Sequence, residues 1–417
     1  MNALLVLMGL LLLSYLGSFL VGDRSIRGFG LPSGAEYVVL GLALGPAALG
    51  LLDRSLVLAF DPLANVALGW LALLIGLDYG YARDGRRVRT ARIVGSSLIA
   101  LVTAAIVGMA TWFAVGALMG LKGDDRLLVA GGVAAACAET TRNAIRWVVE
   151  QHRAAGPLSE LVAELAACDD MVPLLLAGGL FALRPAAHLP AMMSLGRFEL
   201  LGWLAITIGM GVVLGAMSTL LLAREFRRDE SWIVLLGMSL LGIGVTARLG
   251  LSTMTAMFVV GITVSVLSRH RIAVRELAAN TARPVLHPAL LLAGAHLEVH
   301  PSSLPLVVAA ALLARGLAKF FVGRALGVVS PPARKAGALL GLGMLSSGAL
   351  AMTLGLAFAL RFPGPLGDTV LAVAAATTIL GEFVGPGALR ISLRRAGEIS
   401  PAPASSETAD PAAAAAP

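Results

Sequence analysis

A chain of 417 residues that is 58% hydrophobic, with a mean hydropathy of +0.86, carries only 14% charged residues. Soluble domains carry roughly 25%, so a soluble fold is excluded and the chain reads as an integral membrane protein. The net charge of +7 does not imply a nucleic-acid partner, because the basic residues cluster beside apolar runs without interleaved aromatics.

Thirteen apolar runs recur along the chain, near 3–21, 34–50, 57–80, 93–116, 127–150, 159–183, 198–222, 231–247, 250–268, 284–297, 302–323, 336–360 and 365–389. Most match the 17 to 25 residues or so that a helix needs to cross about 30 Å of hydrocarbon. The expected fold is all-α and polytopic, with about 13 transmembrane helices over residues 1–395. The first run lacks the basic flank of a signal peptide and reads as a retained helix. Residues 396–417, rich in Pro, Ala and Ser, read as a disordered tail.

Of the 32 lysines and arginines, 21 lie in odd-numbered connections or the tail and seven in even-numbered ones. The positive-inside rule then places the odd connections and the C-terminus in the cytoplasm and the N-terminus outside, in an inner (plasma) membrane. "RDGRRVRTAR" (Arg83 to Arg92) is the heaviest such connection.

"LPSGAEYVVLGLALGP" (Leu31 to Pro46) is echoed by "LSTMTAMFVVGITVS" (Leu251 to Ser265), a polar start, an apolar body and small residues on one face. Such echoes accompany the internal repeats of secondary transporters, although small residues also occur wherever membrane helices pack closely. The runs at 127–150 and 336–360 each hold a polar cluster in mid-span, "ETTRN" and "SSG". They read either as locally opened helices whose backbone lines protein or water, or as small-residue packing helices with self-bonded hydroxyls. Cys137 and Cys168 fall inside apolar runs and read as small fillers.

The run at 159–183 contains Asp169 and Asp170 near its middle. A charge at that depth costs about 2.5 to 3.5 kcal/mol on insertion scales, so two neighbouring carboxylates call for a function. As helix neighbours they would point about 100° apart and not clasp one proton between them. Desolvation favours the neutral acid and a nearby cation the ionised one, so such a pair can hold a proton or a cation in alternation. The counter-charge is sought in the run at 302–323, where Lys319 and Arg315 share a helix face. Lys319 lies deeper and is the first choice, Arg315 the rival; for both, the alternative is snorkelling from the helix end.

Other polar residues read as supporting. Glu164 suits a solvated funnel, Asp61 and Asp78 suit the interface, His287 is a lone structural histidine, and Glu382 has no assigned role.

Over roughly residues 5 to 390 the order and spacing resemble the cation:proton antiporters of the sodium/proton exchanger superfamily, in the branch of bacterial electrogenic antiporters and potassium-efflux systems. "LPSGAEYVVLGLALGPAALGLL" and "LALLIGLDYG" resemble that family's second and third spans. Thr140 precedes Asp170 by 30 residues, and Lys319 lies about 25 before "GMLSSGAL", both family-like spacings.

The resemblance implies inverted repeats with two crossed broken helices. It implies a mobile core near 93–183 and 302–389 and a panel or dimerisation domain near 1–80 and 198–297. It implies that Asp170 binds the transported cation or proton, that Asp169 pairs with Lys319 when no cation is bound, and that Thr140 offers oxygen at the first break. It also implies exchange of Na+ or K+ for protons by an elevator movement, electrogenic because the first acid is an aspartate, in a homodimer embedded in lipid. No cofactor is implied. The departure is "ETTRN" where the family has Thr-Ser-Pro or Thr-Asp-Pro. Glu139 and Arg142 either pair locally or join the cavity, making Glu139, Thr141, Arg142, Ser346 and Ser347 candidate modifiers.

No enzyme is expected. An intramembrane aspartyl protease needs acids on two helices, and a passive channel needs no buried lysine. A sodium-coupled solute symporter of broken-helix fold, or a transport-silent sensor or scaffold, is the rival reading.

Overall fold

The computed structural model describes residues 34–81, 87–184, 199–223, 228–269, 271–298 and 303–399. The first apolar run and residues 400–417 lie outside them. Among the described residues every named element is helical, and a single bridge between Tyr81 and Arg87 is the one β-type pairing.

In chain order the helices are α1 (Ala35–Leu44), α2 (Arg54–Ala59), α3 (Asp61–Asp78), α4 (Thr90–Leu118), α5 (Gly123–Ala138), α6 (Arg142–Gln151), α7 (Pro157–Ala166), α8 (Met171–Leu183) and α9 (Glu199–Leu222). They continue as α10 (Arg228–Arg248), α11 (Thr253–Leu267), α12 (Arg271–Ala279), α13 (Ala282–Ala295), α14 (Leu304–Val329), α15 (Leu339–Gly343), α16 (Ala349–Arg361) and α17 (Pro365–Ala396). Among the described residues seven stretches are long and apolar enough to cross a membrane, counting α7 and α8 together, and α1, α11 and α16 are shorter apolar helices. The apolar runs at 127–150, 159–183 and 336–360 are each divided in two.

Hydroxyls inside the helices bond back one turn, where water is not at hand. Thr103 donates to Ile99 O (2.8 Å), Ser218 to Leu214 O (2.7 Å), Ser239 to Leu235 O (2.6 Å) and Thr377 to Val373 O (2.9 Å). Each of these polar groups is thereby satisfied within its own helix.

Among the helix pairs that pack backbone to backbone are α1 on α13 and α3 on α11. A Cβ on Gly41 would strike Leu291 O and one on Gly294 would strike Val38 O; a Cβ on Gly261 would strike Leu73 O and one on Gly76 would strike Phe258 O. Val38, Gly41, Leu291 and Gly294 of the first pair thus take the places of Phe258, Gly261, Leu73 and Gly76 in the second. The echo between α1 and α11 is therefore a structural repeat. Its copies are the second and ninth of the expected crossings, seven steps apart with six crossings between them, so they run in opposite directions and the repeat is inverted. The same step relates α5 and α6 to α15 and α16.

The helices sort by packing. α3, α9, α10 and α11 form one group, with α1 and α13 joined to it; α4, α5, α14, α16 and α17 form another that encloses the divided crossings at 127–150 and 336–360. The last helix turns out through Gly397 in a left-handed conformation, and the Glu398 carboxylate accepts from Leu158 N (2.5 Å) and Ser159 N (2.7 Å) at the start of α7. Residues 397–399 are therefore held, correcting the expectation of a disordered tail from 396. A helix N-terminus offers unpaired N–H donors to a carboxylate.

Candidate functional site

The first break is Glu139–Thr140–Thr141, with Glu139 (φ −65°, ψ 151°) and Thr141 (φ −67°, ψ 124°) extended. The second runs through Leu345 to Gly348, between α15 and α16. They cross, and Thr141 N donates to Ser346 O (2.9 Å). Glycines make the crossing possible: a Cβ on Gly348 would strike the Thr141 side chain, and one on Gly385 of α17 would strike the Ser346 hydroxyl. "ETTRN" and "SSG" are thus opened helices, and the packing-helix alternative is set aside.

Two of the half-helix ends meet an opposite charge. The Glu139 carboxylate accepts from Gly348 N (3.2 Å) and Ala351 N (2.6 Å), at the positive N-terminus of α16. At the negative C-terminus of α5, Arg315 Nη2 donates to Glu139 O (2.7 Å) and Lys319 Nζ approaches Ala138 O (3.5 Å). The arrangement follows the polarity of the helix macrodipole. Arg315 Nη1 also donates to the Ser347 hydroxyl. Arg315 and Lys319 are 1% and 0% exposed, which excludes snorkelling for either.

Asp169 and Asp170 sit in a third interruption, between α7 and α8, and both are buried. This corrects their placement on a continuous helix; a local step in the backbone turns one carboxylate each way. Asp169 Oδ2 accepts from Thr140 N (2.7 Å), and Lys319 Nζ donates to Thr140 Oγ1 (2.7 Å). The expected Asp169–Lys319 ion pair is not formed in this state. Thr140 stands between them, because it meets both from the first break. Asp169 Oδ1 is buried without a hydrogen-bond partner, a position that buried polar atoms seldom keep.

Asp170 Oδ2 faces Arg142 Nη2 at 3.6 Å, and Arg142 Nη1 faces Asp78 Oδ2 at 3.8 Å. Arg275 Nε holds the other Asp78 oxygen at 2.8 Å. The local Glu139–Arg142 pair is therefore corrected: the break turns the two side chains to different neighbours, Glu139 to α16 and Arg142 to the aspartates. Glu164 is also corrected, since it is buried against Arg92 (3.4 Å) instead of solvated. Asp61 meets His296 Nε2 (3.0 Å), and His287 stacks on Tyr37 with centroids 4.2 Å apart. Glu382 is buried in α17.

The site therefore gathers Thr140, Asp169, Asp170, Arg315, Lys319, Glu139, Thr141, Arg142, Ser346 and Ser347 around the crossing. Sequence reasoning missed Asp78 and Arg275 as members. Asp78 ends an apolar run like any interfacial acid, and no pattern in the sequence signals that α3 ends beside α6. A monovalent cation would find oxygens on Asp169, Asp170 and Thr140.

The profile described as "Sodium/hydrogen exchanger, transmembrane" matches residues 10–393. The chain belongs to the sodium/hydrogen exchanger family. A member of that family is a transporter and not an enzyme. The exchanger's fold is similar to that of the sodium proton antiporter MjNhaP1 from Methanocaldococcus jannaschii at pH 8. The TM-score is 0.67 at 16% identity, covering 95% of this chain and 99% of that one. A structure of the same antiporter from an electron-microscopy map gives a TM-score of 0.66 at 15% identity, covering 96% and 100%. No curated protein matches the exchanger's sequence.

Proposed function

We propose that this exchanger carries a monovalent cation, Na+ or K+, in one direction and protons in the other, with Asp170 and Asp169 as the carriers. The observation that carries the reading is a pair of buried carboxylates at the crossing of two opened helices, one of them with a partnerless oxygen. Desolvation favours the protonated acids, and a cation entering among the carboxylate and Thr140 oxygens displaces the protons. Occupancy by one excludes the other. No covalent chemistry is needed.

Lys319 balances Asp169 through Thr140 while the cation is away. Two carboxylates against one cation make the cycle electrogenic, two protons for each cation. Alternating access follows if the group built on α4, α5, α14, α16 and α17 moves as a core against a panel containing α3, α9, α10 and α11. In the membrane we place two such chains as a homodimer within lipid, with the C-terminus in the cytoplasm, following the basic connections.

The test is purified protein in liposomes with a trapped pH-sensitive dye, challenged with Na+, K+ or Li+ in turn. The wild type should dissipate an imposed proton gradient on cation addition, and Asp170→Asn should abolish this. Retained exchange in Asp170→Asn moves the site elsewhere. A potassium and valinomycin clamp, with Na+ as the test cation, should change the rate if the exchange is electrogenic.

A further inference from the structure

Arg142 is not consumed by the exchange scheme, and its surroundings are specific. Its guanidinium touches three oxygens: Asp170 Oδ2 at 3.6 Å, Asp78 Oδ2 at 3.8 Å and Ala167 O at 3.1 Å. A firm guanidinium–carboxylate contact is about 2.7 to 2.9 Å and often two-pronged. Neither carboxylate contact of Arg142 is of that kind. The firm partner of Asp78 is Arg275, at 2.8 Å, itself lying over the Tyr81 ring with 4.9 Å to the centroid. Arg142 is thus held loosely between two acids.

Exposure rises from Asp170 to Asp78. The Asp170 side chain is 12% exposed, Arg142 28% and Asp78 44%. Arg142 therefore stands between the buried acid and the side from which water and ions arrive. A cation that reaches Asp170 must take the position of the guanidinium charge, and the displaced arginine has a second acid within reach.

We propose that Arg142 is a tethered substitute for the transported cation, occupying Asp170 while no ion is bound and withdrawing to Asp78 when an ion loads. The row from Asp170 to Arg275 alternates in sign and is neutral when Asp170 holds neither cation nor proton. An incoming cation adds one charge beside Arg142, and repulsion drives the guanidinium outward. Asp78 sets how easily it leaves. Because α6 lies with the group that holds the crossing and α3 with the other group, the withdrawal also reports loading across the boundary between them. The inference rests on Asp170 being the cation site.

The measurement is the cation concentration for half-maximal exchange in liposomes at fixed pH. Arg142→Gln removes the competitor and should lower that concentration about twofold to fivefold, the range for losing one partly exposed ion pair. Asp78→Asn removes the resting place and should raise it. In the Arg142→Gln background the Asp78→Asn effect should vanish, because both act through one guanidinium. A purely structural arginine would instead lower the maximal rate or the yield of folded protein without sharpening cation affinity. An unchanged or higher half-maximal concentration in Arg142→Gln overturns the inference. Should Arg142→Gln not fold, Asp78→Asn decides alone, and no rise overturns it. The exchange reading fails separately, through a wild type without exchange or an active Asp170→Asn.

Discussion

Thr140 takes Lys319 on its hydroxyl and gives its backbone N–H to Asp169, so one residue passes the influence of a buried cation to a buried acid. Removing that cation leaves the acid's ionised form less supported. For Lys319→Ala we therefore expect the pH profile of exchange to move toward higher pH, read as initial rate across a pH series in the dye assay. An unmoved profile with normal rates would mean that Lys319 serves only the α5 terminus. Glu139 shows how far side-chain chemistry can be repurposed at this scale. At this break the exchanger sets a carboxylate on the N–H groups of α16 that its own helix leaves unpaired.

At the scale of elements, the crossing depends on Gly348, whose added Cβ would meet the Thr141 side chain and a Glu139 oxygen. Gly348→Ala should cost about 1 to 3 kcal/mol through overpacking. It should lower the melting temperature in detergent and reduce exchange together. Gly387 in α17 is the control, with open space where a Cβ would go. Gly387→Ala should stabilise by up to about 1 kcal/mol, since glycine in a helix interior is the weaker former. If the two variants melt alike, the crossing is not held by that close approach.

For the whole molecule, the inverted repeat makes a symmetric demand. Gly41 and Gly261 are equivalent positions in two backbone-to-backbone contacts, and a carbonyl oxygen in a packed helix cannot step aside. Gly41→Val and Gly261→Val should therefore destabilise by similar amounts, each at least about 1 to 3 kcal/mol, compared by thermal unfolding and yield of monodisperse protein. A loss confined to one of the pair would contradict the equivalence.

Much of this was legible in the amino-acid order. Hydropathy exposes the membrane class because lipid accepts only segments that satisfy their own backbone, and the same physics makes Asp169, Asp170, Arg315 and Lys319 conspicuous, since a buried charge is tolerated only for a reason. The glycine echo between Leu31–Pro46 and Leu251–Ser265 carries the repeat, because close helix contact requires small residues in register.

Partner choice was decided by tertiary structure alone. Glu139 and Arg142, three apart in sequence, invite a local pair; the break sends one to Gly348 and Ala351 and the other to Asp170 and Asp78. Lys319 reaches Asp169 only through Thr140, and Asp78 joins the site across 92 residues of chain. Residue type declares that a charge inside a membrane needs compensation. Which atom compensates it depends on where opened helices turn, and that is set by contacts between segments far apart along the chain.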